Sequence, residues 1–288
     1  MEFREIRQCD RESIEAVRRK WHHDFLSHSF CTLYLWQETL KCSLFLEEDF
    51  YIVRCEDEGS NSYFFPCGNR SQAAAFIETH IQEADFKLLY MQKEDIMWLS
   101  YQFPGRFQFT RDDNHCEYLY SRAEQLSLCG GKFARIRNEV HHLQSRHQLR
   151  TEVLEGREMD AVCILQDWKE NRIRLGRPGQ ADYLVTEKII REYKSLKMAG
   201  IIVYVDEVPQ AFAAGGEIWG DTFAVQAAKV GIPMTGLLYY TLHELFRFIS
   251  EKYTYINGDD DMGVAGIRLH KQKMRPCRIN EVWKAVLL

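Results

Sequence analysis

The chain has 288 residues, 45% of them hydrophobic, 13% aromatic and 27% charged, with a formal net charge of -5. This balance excludes a disordered or fibrous chain and leaves one large core or two compact domains, of which two is the expectation. The acidic surplus excludes a surface coated with basic residues for sequence-independent nucleic-acid binding, but not a local basic patch.

The opening MEFREIRQCDRESIEAVRRKW mixes both charges and holds no apolar core of signal-peptide length. Apolar runs are broken by His243, Glu244 and Arg247 or by Asp206 and Glu207, so no membrane-spanning segment is expected. The nine cysteines are scattered without CxxC pairs or zinc-site spacing. Reduced thiols, no structural disulfide, no metal site and a cytoplasmic location follow as expectations.

Residues 1–40 read as two helices, the second from Phe30 to Leu40. Cys42 to Cys55 gives two strands around the turn Glu47-Glu48-Asp49, and Ser62 to Pro66 a third. A helix starts at Ser71 with Ala74, Phe76, Ile77 and Ile81 on one stripe, then a strand from Phe86 to Met91. Glu94 to Tyr101 is helical in pattern, and strands follow around Phe107 and at Glu117 to Tyr120. Ser121 to Met198 reads as largely helical, with the Gly-Arg-Pro-Gly stretch at 176–179 as a loop or hinge.

The same order then returns. Strands are expected at Ile201 to Val205, Gln210 to Trp219 and Asp221 to Ala228, then a helix from Gly236 to Ser250 and a strand from Thr254 to Asn257. A helix from Gly263 to Met274 and a last strand from Ile279 to Val286 complete it. Internal duplication is the architectural expectation. The fold class is α+β, with an N-terminal lobe over 1–125 and a C-terminal lobe with a helical lead-in over 126–288.

Several groups carry chemistry. The loop from Lys229 through Gly231 to Gly236 runs from strand to helix, where unpaired backbone N–H groups favour an anion; a plain strand-to-helix turn explains it equally well. Asp259, Asp260 and Asp261 precede a helix and suit either a donor's amino group and proton transfer or simple capping. Arg268 and Lys271 share a helical face and suit a phosphate or acyl group, although most such pairs are only solvated. From Lys132 to Arg150 the only acid is Glu139, so this strip fits either a tRNA acceptor end or a solvated helix face. No catalytic triad order, nucleophile elbow, Walker loop or HExxH pattern appears.

Three segments resemble the C-terminal catalytic domain of the phosphatidylglycerol lysyltransferase family: LCGGKFARIRNEVHHL at Leu128 to Leu143, YVDEVPQAFAAGGEI at Tyr204 to Ile218, and YINGDDDMGVAGIRLHKQKMRP at Tyr255 to Pro276. The resemblance implies two tandem GNAT-like lobes, each a mixed sheet flanked by helices, and transfer of an aminoacyl group from charged tRNA. Arg137, Asn138, Asn257, Asp261, Gly263, Arg268 and Lys271 match the family pattern. The family's basic cluster before Arg-Asn is thinned here to Arg135 and Arg137, and Lys273 stands where serine is frequent. Asp261, Arg268 and Lys271 are therefore the expected catalytic residues, with Arg137, Asn138, Lys229, Gly231, Gly236 and Asn257 binding the donor.

The expected reaction is acyl or aminoacyl transfer to an unassigned amine or hydroxyl, by direct attack, with no tightly bound cofactor. Aminoacyl-tRNA is the favoured donor co-substrate. An acyl-CoA-dependent N-acetyltransferase and a noncatalytic binding module of the same fold are the alternatives. The first lobe is expected to be structural.

Overall fold

A computed structural model describes residues 2–57, 60–83, 85–177 and 179–288. Pro178, in the expected 176–179 loop, lies outside them. The chain forms two compact units. The first comprises Met1–Glu117, Asp260–Val264 and Ile279–Leu288; the second comprises Tyr118–Asp259 and Ala265–Arg278.

The first unit opens with α1 (Arg11–Lys20) and α2 (Phe30–Trp36), followed by β1 (Cys42–Glu47), β2 (Phe50–Asp57), β3 (Ser60–Phe64) and the short β4 (Cys67–Gly68). After α3 (Arg70–His80), β5 (Lys87–Met91), α4 (Lys93–Gln102) and β6 (Phe107–Arg111), the chain enters β7 (Glu117–Ser121) and passes into the second unit. There α5 (Arg122–Ser127), α6 (Ala134–Gln144), β8 (Leu149–Val153), α7 (Glu158–Arg174) and α8 (Gln180–Glu192) precede a meander of β9 (Ala199–Val205), β10 (Val208–Trp219) and β11 (Thr222–Val230). α9 (Leu237–Phe248), β12 (Tyr255–Asn257) and α10 (Ala265–Lys273) follow, and at β13 (Arg278–Asn280) the chain returns to the first unit for β14 (Trp283–Leu287).

Each unit repeats one motif: an antiparallel meander, a helix, and a strand returning parallel to the meander's last strand. In the first, β3 and β5 flank α3 and pair parallel; in the second, β11 and β12 flank α9 and pair parallel. The repeat read from the sequence is thus real at the level of pairing.

The last strand of each half departs from the linear reading. β14 inserts between β5 and β6 of the first sheet, whose path is β1-β2-β3-β5-β14-β6, while β7 lies against β12 of the second. The single strand expected from Ile279 to Val286 is consequently split into β13 and β14, and its end is not part of the second unit. These units differ from a cut at 125/126 for the same reason. Burial of Val282 with Phe25 and Cys116 fixes the return. The strand β8, absent from the sequence reading, is an edge strand paired only with β9, and its sequence LRTEV alternates charge.

The first core packs Phe76 and Ile77 of α3 and Leu99 of α4 against Leu88, Met91 and Ala285. In the second sheet, Ala211 to Ala214 of β10 are consecutively buried, so helices cover both faces. At roughly 1.5–3 kcal/mol per fully buried large apolar side chain, these layers dominate the folding energy.

A disulfide joins Cys42 and Cys55, which corrects the expectation of none. The hairpin register places the two residues opposite each other, and the Cys42 N–H donates to Gln37 rather than across the strand. In such a non-hydrogen-bonded pair the side chains approach closely; the Cα atoms are 4.2 Å apart. The other seven cysteines form no disulfide among the described residues.

Two histidines, His23 and His28, are buried in the first unit. Burial, aided by the positive charges of Arg70 and Arg18, holds His23 down at about 3; burial and His23 hold His28 down at about 3. Both are therefore neutral at pH 7, and His28 must carry its proton on Nε2, which donates to the Tyr90 carbonyl at 3.2 Å. The unfolded chain binds protons on these histidines below its ordinary value of 6.5 while the folded chain refuses them, so stability is lost as pH falls from 6.5 toward 3. At pH 5 the loss is ~2 kcal/mol for each. Thermal unfolding should show Tm falling steeply between pH 6.5 and 5, and about half as steeply in His28→Gln, whose amide keeps the bond to Tyr90; a flat Tm over this range contradicts the burial argument.

Candidate active site

In the second unit, parallel pairing of β11 with β12 stops at Ala224 and Asn257, yet β11 continues to Val230. β12 leaves because the next residues bond to β7 instead: the Gly258 N–H donates to Tyr118 at 2.8 Å, and the Tyr118 N–H to Asp259 at 3.1 Å. Asn257 makes this turn, its buried side chain accepting the Asp259 N–H at 2.8 Å. A Cβ on Gly258 would lie 2.6 Å from the Tyr120 ring, so only glycine fits there.

The edge of β11 beyond Ala224 is thereby vacated. Gly231 donates to the Gln210 carbonyl on β10's side at 2.8 Å, and strand alternation turns the N–H groups of Ala227 and Lys229 the same way. Those of Ala228 and Val230 point toward the vacated edge. Backbone donors in that position require water or a ligand.

α10 is tied to the end of β12 where it turns away. Lys271 Nζ donates to the Gly258 carbonyl at 2.5 Å and lies 5.8 Å from the Tyr118 ring centre, while Tyr120 donates to the Lys271 carbonyl at 3.1 Å. Arg268, one turn earlier, is half-buried. The helix also supplies His270, which sequence reasoning passed over. Its ring stacks on Tyr239 at 4.8 Å, and its Nδ1 shares a 3.0 Å hydrogen bond with the Tyr239 hydroxyl. Burial, then Lys271 and Lys273, push His270 down to about 4; burial and Glu139 push Tyr239 up to about 12. A neutral imidazole and a neutral phenol result, a pair able to accept and relay a proton. The available signal was the placement of His270 between Arg268 and Lys271 within one motif.

The remaining candidates are distributed differently. Lys229 is buried in a two-point ion pair with Asp182 at 2.7 and 2.8 Å, beside Trp168. Gly231 packs against α7, its carbonyl accepting from Asn171 at 2.6 Å and its N–H already used. Arg137 holds the carbonyls of Leu128 and Gly130, and Asn138 is exposed on α6. Asp261 is fully buried in the first unit, where it accepts the Gly263 N–H at 2.9 Å. Alanine there would therefore disturb folding.

The basic strip is also partly neutralised, by near acids and by two distant in sequence: Lys132 pairs with Glu124, Arg135 with Glu139, Arg150 with Glu152 and the distant Glu207, and His147 contacts the distant Asp206. The apolar crevice lined by Leu128, Ile136, Tyr239, Leu242 and Phe246 measures only about 10 Å³, room for about one water.

A family model for phosphatidylglycerol lysyltransferase, C-terminal, matches residues 18–286. The chain belongs to this family. A conserved protein of unknown function from Bacteroides thetaiotaomicron is similar over 99% of both chains, with 24% identity and a TM-score of 0.88. The L-PGS structure from Bacillus licheniformis is similar over 99% of this chain and 94% of its own, at 15% identity and a TM-score of 0.65. A tandem GNAT protein from the clavulanic acid biosynthesis pathway is similar over 99% and 98%, at 9% identity and a TM-score of 0.50. No curated protein sequence matches. The fold is that of tandem GNAT-like lobes, and the family is one of acyl or aminoacyl transferase-like proteins. Among the described residues no helix is long and apolar enough to cross a membrane.

Gly236, the residue before α9, has φ +87°, and a Cβ there would strike the Glu139 carbonyl of α6. The left-handed backbone alone costs a non-glycine residue ~1–2 kcal/mol, and the collision forces α6 to shift. A bulky residue at Gly236 is therefore no steric probe of the opening. Gly236→Ala should lower stability by ~2 kcal/mol or more in denaturant titration; an unchanged midpoint contradicts this packing.

Proposed function

We propose that the second unit transfers an aminoacyl group from an activated ester, an aminoacyl-tRNA, to an amine or hydroxyl acceptor by direct attack. The observation that carries this reading is the vacated β11 edge: two backbone donors, Ala228 and Val230, face the space that β12 leaves, and Lys271 ties the helix bearing Arg268 and His270 to the end of β12. Backbone N–H groups so placed suit a carbonyl that gains negative charge when attacked. Attack forms the new bond to the acyl carbon and breaks its bond to the ribose oxygen; the nucleophile's proton passes to neutral His270, with Tyr239 adjoining it, and from there to the departing oxygen, which leaves as the ribose hydroxyl. Lys271 positions the end of β12 through Gly258, and Arg268 is the proposed anion-binding group for the donor. Asn257 positions the same turn. Asp261 belongs to the first unit and serves its own turn.

An acyl-CoA donor is the second reading, favoured by the GNAT-like fold. Two features argue for the aminoacyl donor instead. The Gly231 N–H is engaged by Gln210, and α6 covers Gly236, so the loop is poorly suited to cradle a diphosphate. The tRNA end would meet the exposed part of α6, where Arg135 is 80% exposed despite its ion pair. No tightly bound cofactor enters the proposal.

The test measures loss of the aminoacyl ester from charged tRNAs, above spontaneous hydrolysis, with products identified by mass spectrometry. Transfer is expected to fall about 100-fold in Arg268→Ala and His270→Gln, with Tm little changed. Transfer from acetyl-CoA with none from any charged tRNA would select the second reading, and no transfer from either donor would select a binding module.

A further inference from the structure

The first unit carries a groove of about 740 Å³ on the sheet face opposite α3 and α4. That size falls within the ~300–1,000 Å³ of ligand sites. Its floor is apolar, formed by Phe64 of β3, Leu89 of β5, and Val282 and Val286 around β14. Lysines stand over it. Val286 pairs with Lys87, and Lys284 lies two residues along β14 on the same face, so Lys87 and Lys284 are diagonal neighbours on adjacent strands. Lys41 stands on the wall beside Cys55. Lys284 reaches Asp112 at 3.8 Å, but Lys87 and Lys41 have no acidic partner among the described residues.

The backbone shapes one end of the groove. β5 bulges opposite Trp283 and Ala285, and Tyr90 is held there at φ +53°, a conformation that L residues seldom adopt. The buried His28 fixes its carbonyl. The Tyr90 ring meets His115 edge to face at 5.5 Å, and His115 bonds Asp112 at 3.1 Å. This bond and the nearby Asp260 raise the imidazole above its ordinary range, adding positive character to a groove whose acids are Asp112 and Glu56. Like-charged lysines over an apolar floor are destabilising unless an anion joins them.

We propose that this groove is a second ligand site, separate from the transferase reading, for a small amphiphilic anion. Its apolar body would lie on Phe64, Leu89 and Val286 with its carboxylate or phosphate between Lys87 and Lys284. Nothing in this proposal depends on the β11 edge.

Isothermal titration tests it with four probes sharing one tail: octanoate, octyl phosphate, octyltrimethylammonium and 1-octanol. Octanoate and octyl phosphate should each bind once, at least about tenfold more tightly than the cation or the alcohol. The pair Lys87→Met and Lys284→Met, which keeps the apolar stems, should weaken octanoate about tenfold or more, while Lys87→Arg with Lys284→Arg retains it. Equal binding of cation and anion, or unchanged octanoate affinity in the methionine pair with Tm preserved, overturns the proposal.

Discussion

A strand that ends its pairing early must send its backbone elsewhere, and the second unit solves this at Asn257. There the side chain of Asn257 takes the Asp259 N–H, Gly258 comes up against the Tyr120 ring, and β12 follows β7 rather than β11. Lys271 secures the turn from α10 by holding the Gly258 carbonyl. The glycine, the amide and the lysine in YINGDDDMGVAGIRLHKQKMRP thus have a shared backbone purpose before any chemistry is assigned to them.

The two units use one pairing motif to different ends. In the first, residues just past the last β3–β5 pair are covered from within: His28 takes the Tyr90 carbonyl, Tyr51 bonds the His28 carbonyl, and His23 lies beside His28 and Phe65. The first unit's divergence is filled by its own N-terminal segment, at the expense of two buried imidazoles with unpaired Nδ1 atoms. In the second, the corresponding segment of β11 meets no such plug among the described residues. This asymmetry is the physical basis for assigning transfer to the second unit.

Much of the fold was legible because its signals are local. The turn Glu47-Glu48-Asp49, the apolar stripe of α3 and the repeated meander-helix-strand order all depend on short-range periodicity. Even the disulfide was within reach: reflecting the chain about the turn between Glu48 and Asp49 lays Cys42 on Cys55. What stayed hidden is nonlocal. The alternation in β14 and β7 shows that each is a strand, but not which sheet receives it. Likewise, the sequence does not show that folding brings Asp206 and Glu207 to His147 and Arg150 of the basic run at 132–150. Family matching selected Lys271 and Asn257, and the fold shows what each side chain holds, while Lys229 is ion-paired with Asp182 and Gly231 packs against α7.

The vacated β11 edge as donor seat is the central claim, and backbone amide NMR tests it most directly. The protein would be titrated with an adenosine bearing a lysyl group in stable amide linkage at its 3′ position. Saturable shifts of the Ala228 and Val230 amides, with slowed hydrogen exchange at both, are expected. Saturable binding that leaves these two amides unmoved and perturbs only residues of the first unit would contradict the account.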